Sequence, residues 1–128
     1  MPATYTLMPE RKLVYTKVYG PVNEKDFMSH VDSMTGYFHQ NHLDETWRQL
    51  IFLDEVAYVG KDAVSLIRQL VLLNPWPVTC KRVIASKNKY FFGLARIYQQ
   101  LADPEHQGVE VVSTLEAAEI ILSDLKAI

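Results

Sequence analysis

Between Leu50 and Asp54 the chain reads LIFLD, four apolar residues in a row closed by an acid. A strand with one wet face alternates apolar and polar residues, whereas one that is apolar at every position is buried on both faces. Such a strand needs covering layers above and below, and α/β chains supply them by alternating strands with helices. The rest of the sequence reads that way. Residues 3–8 and 12–19 alternate, hold β-branched or aromatic residues, and flank the turn-like Pro9-Glu10-Arg11, so they read as a hairpin. In its second strand Val14, Thr16 and Val18 point one way and Leu13, Tyr15, Lys17 and Tyr19 the other, and Gly20-Pro21 ends it.

Helical spacing then takes over. Asn23 suits an N-cap, and Phe27, Val31, Met34 and Phe38 predict an amphipathic helix over 24–40. The polar stretch 41–48 reads as a loop before the LIFLD strand. A second helix is expected from near Asp62, with Val64, Ile67, Leu70 and Val71 on its buried side and Asn74-Pro75 as its stop. KRVIAS at 81–86 reads as a strand, 90–102 as a helix, VEVV at 109–112 as the last strand, and Ser113-Thr114-Leu115-Glu116 as a capping box opening a terminal helix whose face is Leu115, Ala118, Leu122 and Leu125. The order ββαβαβαβα predicts a single α/β domain over 1–128: a mixed, mainly parallel sheet of four to five strands, an N-terminal β-hairpin, and four helices.

Composition removes several function classes. At 128 residues the chain suits one core, and a net charge of −2 offers no basic field to nucleic acid. No run approaches the ~20 apolar residues of a membrane span and no signal peptide is visible, which places the protein in the cytoplasm as an expectation. The lone Cys80 has no partner for a disulfide or a zinc site and reads as a buried thiol.

Candidate chemistry is sparse. His39 and His42 sit three apart, but two exposed histidines at a helix end are the simpler reading and no metal is expected. No nucleophile elbow or Gly-rich phosphate loop occurs, and the carboxylates Asp54 and Glu55 read as strand-closing acids; no enzyme and no cofactor are expected. In a parallel sheet the loops after the strands lie together, which would gather Asp54, Glu55 and Tyr58 after one strand with Lys87, Asn88, Lys89 and Tyr90 after the next. Asp54, Tyr58, Lys87, Lys89 and Tyr90 are therefore the candidate site for a small polar or apolar ligand. In the helix that follows, Phe91, Leu94, Ile97, Tyr98 and Leu101 read as the packing stripe and Gly93 as a point of close approach to the sheet. Phe92, Arg96 and Gln99 fall on the opposite side, and an aromatic beside an arginine is a composition favoured at protein interfaces.

Three stretches together resemble a known family: YGPVNEKDF at the hairpin end, LIFLDEVAYVG, and RVIASKNKYFFGLARIYQQL followed by VEVVSTLEAAEIIL. They resemble the SpoIIAA-like proteins, bacterial relatives of the STAS domains of anti-sigma-factor antagonists and of the Sec14 lipid-binding domains. The resemblance covers nearly the whole chain and implies a STAS-like α/β sheet. It also implies action through protein contacts, with a protein partner or as a homodimer, or alternatively a lipid or small-molecule carrier. Antagonists of the STAS type carry D-S-[ST]-G with a phosphorylatable serine. Laid on this chain the motif falls on Asp62-Ala63-Val64-Ser65, with Ala63 at the phosphoacceptor position and Ser65 reading as a helix-surface residue.

Overall fold

Strand order in the sheet follows chain order, and that decides where the helices lie. The computed structural model describes residues 3–22, 24–44, 46–59, 65, 67–68, 71–72, 80–102 and 108–126. Strand β1 (Ala3–Met8) turns through a 3₁₀ segment, Pro9–Arg11, into β2 (Leu13–Val22), and the two pair antiparallel from Ala3↔Val18 to Met8↔Leu13. Helix α1 (Glu24–Gln40), strand β3 (Arg48–Val59), strand β4 (Arg82–Ala85), helix α2 (Lys89–Ala102), strand β5 (Val109–Val112) and helix α3 (Leu115–Lys126) follow. The sheet runs β1-β2-β3-β4-β5, with β2 through β5 mutually parallel.

Each parallel crossover therefore steps in the same direction, and right-handed crossovers put every connecting helix on one face. The packing agrees. Met34 and Phe38 of α1 join Val14 and Cys80, while Ala95 of α2 joins Ile84 and Val109, all on that face. The other face is covered by α3, whose Ala118 and Leu122 pack on Leu13, Leu50, Val83 and Ala85. The wholly apolar run at 50–53 is explained by these two layers, since Leu50 faces α3 and Ile51 and Leu53 face the α1/α2 side. The expected mixed α/β sheet is thus found, with five strands and three bounded helices among the described residues. The expected helix from Asp62 lies mostly outside them, and residues 65, 67, 68, 71 and 72 are helical, with Ile67 buried and Ser65 exposed.

Three local expectations are corrected. β2 does not stop at Gly20-Pro21 but continues to Val22, because β3 extends alongside it: Gly20 pairs with Val56, Pro21 with Tyr58 and Val22 with Val59. Pro21 has no N–H to give the ladder, and the register shifts between Gly20 and Pro21. The hydroxyl capping α3 is Thr114, which accepts from Ala117 N at 3.0 Å, so the helix starts one residue later than a box on Ser113 requires. The packing stripe of α2 is Phe91, Leu94, Ala95 and Tyr98; Leu101 is 41% exposed, and a Cβ added to the exposed Gly93 would meet nothing within 4 Å. Ala95, not Gly93, makes the close approach.

Candidate functional site

Helix α2 begins at the carboxyl end of β4, and its start is held by one side chain. Asn88 Oδ1 accepts from Tyr90 N at 2.9 Å and Phe91 N at 3.2 Å, satisfying two of the amides a helix start leaves open. That cap sets the direction of everything beyond it. Phe91 turns inward against Val18, Leu53 and Leu94, while Tyr90, 57% exposed, meets Phe91 edge-on at 5.4 Å between centroids. Lys87 and Lys89 flank the cap and are exposed. One turn on, Phe92 is half-buried and Arg96 is exposed.

The structure brings together only part of the expected ligand site. Asp54 and Tyr58 lie inside β3, which runs on to Val59, and not in a loop beyond it. The physical reason is an unequal pair of neighbours: β4 pairs with β3 only from Gln49 to Phe52, whereas β2 accompanies it to its end. Residues 53–59 thus belong to a two-stranded extension that β4 does not accompany. Lys87 lies in the loop after β4, and Lys89 and Tyr90 are the first two residues of α2, not part of the loop.

Of the expected partner-binding trio, Gln99 is already engaged: its Nε2 donates to the Val109 carbonyl oxygen at 2.7 Å. It ties α2 to β5. Among the described residues the side chains of Phe92 and Arg96 make no such link, and their side of α2 stands clear of the packing stripe.

The histidine pair resolves into a helix stop. His42 has φ 54, the left-handed conformation, with His42 N bonding His39 O at 3.2 Å and Leu43 N bonding Phe38 O at 3.1 Å. Those are the two bonds of a Schellman cap, and the accompanying contact is the burial of Phe38 and Leu43 in one cluster. Among the described residues no group of three or more His, Cys, Asp or Glu is placed to hold a metal ion, and none of the helices is long and apolar enough to cross a membrane.

Sequence reasoning missed a buried polar layer at the amino end of the sheet. Gln49, 1% exposed, donates from Nε2 to Thr16 Oγ1 at 2.8 Å beside the Met34 sulfur. Arg82, 4% exposed, donates to Tyr98 Oη at 2.6 Å with its guanidinium 5.6 Å from that ring, and its Nε has no hydrogen-bond partner. The available signal was register: Gln49 and Arg82 are polar residues on the strand face whose neighbours, Ile51 and Ile84, point at the helices.

No family model matches the chain, and no curated protein matches it. Among solved structures, one described as the anti-sigma factor antagonist SpoIIAA in its unphosphorylated form aligns with a TM-score of 0.62 at 9% identity, over 98% of this chain and 99% of that one. At that identity the likeness is one of fold: the chain has the SpoIIAA fold that its sequence resemblance implies.

Proposed function

We propose that the chain is a non-enzymatic, SpoIIAA-like contact module that works by binding another protein through the outer side of α2. The observation that carries this reading is that half-buried Phe92 and exposed Arg96 stand four residues apart, on one side of a helix whose apolar stripe is otherwise committed to the sheet. An aromatic residue next to arginine concentrates binding energy in a small area. The SpoIIAA fold supports the reading, since the protein that shares it is an anti-sigma factor antagonist. Gln99 takes no part in the contact, because its amide is spent on Val109.

A phosphoserine switch of the antagonist kind does not operate here, given Ala63 and Val64 in the motif. Ser65, two residues after Ala63, is helical and exposed. Intact-mass measurement of the protein purified from its own cells should show the unmodified mass; a phosphate on Ser65 would reverse this part of the reading.

The binding test is affinity capture with the wild-type chain beside a Phe92→Ala/Arg96→Glu variant. One protein should be retained by the wild type and lost by the variant, whose melting temperature stays unchanged. If both chains retain the same protein, the contact lies elsewhere. If neither retains one and a lipid or metabolite panel raises the melting temperature, the carrier reading replaces this one, with Lys87, Lys89 and Tyr90 as its site.

A further inference from the structure

The sheet ends in two strands built on different terms. β5 is four residues long, its Val109 carbonyl is occupied by the Gln99 amide, and its Glu110 is ion-paired with Lys81. β1 is six residues, ATYTLM, without charge, proline or glycine, and its pairing with β2 has no register shift. Beyond it no strand lies among the described residues. Natural sheets blunt an open edge with charges, proline, bulges or brevity, and β1 uses none of these. In an antiparallel ladder alternate residues point their backbone groups outward, so β1 presents about three N–H and about three C=O groups on its open side.

We infer that β1 pairs antiparallel with β1 of a second copy, joining the two sheets into one across a two-fold axis. This extends the contact-module reading from a foreign partner to self-association, and it uses a different surface from the α2 face. Charge selects the occupant. Two β1 edges meet with no like charges opposed, whereas two β5 edges would bring Glu110 toward Glu110. Burial raises the pKa of the Tyr5 and Tyr37 phenols, so the stacked pair near this edge, 5.1 Å between centroids, is neutral too. Pairing β1 with the β5 of another copy would meet the Gln99 amide and would propagate without closing, while β1 on β1 closes as a dimer.

The register follows from the faces. Opposite residues in an antiparallel ladder share a face, and a two-fold axis normal to the sheet keeps like faces together. The central pairings are then Tyr5 opposite the second copy's Tyr5, or Thr6 opposite the second copy's Thr6. Both keep the exposed Thr4 and Thr6 on one face and Tyr5 and Leu7, which pack under α1, on the other. Cross-strand threonine and aromatic pairs of this kind are favourable. A six-residue ladder is only ~20 Å long, short of a large obligate interface, so the dimer should dissociate in roughly the micromolar range.

Sedimentation of the full chain from low to high micromolar concentration should show a monomer passing to twice its mass. The discriminating variant is Thr4→Glu/Thr6→Glu. Both side chains are exposed, and Thr4 lies opposite Lys17 in the hairpin, so the monomer tolerates the acids while two copies would cluster four of them. The variant should weaken association at least 10-fold with an unchanged circular dichroism spectrum, and amide exchange in β1 should slow with concentration in the wild type alone. A wild type that stays monomeric overturns the inference. So does a dimer that survives the two acids. Loss of association on Phe92→Ala/Arg96→Glu would move the dimer to α2, and loss of foreign-partner capture with the dimer intact would leave this inference standing without the α2 reading.

Discussion

The two ends of the sheet are held by different kinds of contact. At the amino end, residues far apart in the chain are tied to one another. Arg48 donates to Leu122 O and Arg11 O, both at 2.6 Å; Arg11 pairs with Glu119 at 2.8 Å; Lys81 pairs with Glu110; Arg82 meets Tyr98; and Gln99 meets Val109. At the carboxyl end, the side chains of Asn88 and Ser86 bond locally: Asn88 caps its own helix and Ser86 Oγ bonds Asn88 O. The difference teaches where the long-range side-chain ties gather. Parallel α/β sheets place binding at the carboxyl ends of their strands, and that end carries the exposed Lys87, Lys89 and Tyr90, while the ties between distant segments are concentrated at the opposite end.

That contrast can be broken by substitution, and the largest effect is expected at Arg48. Truncation to alanine leaves two carbonyls without their charged donor and loosens α3 from the sheet edge. Chemical denaturation should register a loss of about 2–3 kcal/mol. Burial, then the nearby Arg11, lower the Arg48 pKa while Glu119 opposes them, and the guanidinium donates to the two carbonyls. Next comes Tyr98→Phe, which strips the buried Arg82 guanidinium of the one hydrogen bond it makes among the described residues and should cost about 1–3 kcal/mol. Pairing it with Arg82→Met should recover most of that loss, since a buried charge without a carboxylate contributes little by itself. A Tyr98→Phe cost that Arg82→Met leaves intact would show that packing, not the guanidinium, is at stake.

At the carboxyl end the expected effects are smaller. Asn88→Ala removes the α2 cap at about 1 kcal/mol, read as a lower denaturation midpoint. Lys87→Ala and Lys89→Ala should each stay within about 0.5 kcal/mol, and a larger change would mean that these lysines hold the fold together. A pH effect belongs to the amino end. The Thr46 hydroxyl and then the Thr46 amide donate to the Asp44 carboxylate and hold its pKa below the ordinary value. A group depressed in the folded state adds stability above its unfolded-state pKa and loses it as pH falls through the folded value. Asp44→Asn should therefore lower the melting temperature at neutral pH and leave it unchanged in strong acid. An equal drop at both pH values would sink the assignment.

Legibility divided along similar lines. Helix α1 at 24–40, strand β5 at 109–112 and the buried pairs Met34/Phe38 and Ala118/Leu122 are readable because helical spacing and β-branched runs are local signals. Lys87 in the loop after β4, Lys89 and Tyr90 at the start of the helix it leads into, and the exposed Arg96 lie close to where the sequence puts them. Asp54 and Tyr58 are not: whether an acid after an apolar run ends a strand or continues it depends on which neighbour strand persists alongside, and that neighbour is thirty-odd residues away in the chain. Gly93 and Ala95 show the same limit at finer scale, since two small residues two positions apart differ only in which of them the sheet meets.

What the sequence determined is the order of elements, the faces of its helices and the apolar strand around which they gather, because each rests on periodicity within a dozen residues. Tertiary structure alone decided the rest. It carried β2 past Gly20-Pro21, tied the amino end through Arg48 and Arg82, closed the β5 edge with Gln99 and left β1 open. Those outcomes depend on pairing and register between segments distant in the chain, for which no local pattern is specific.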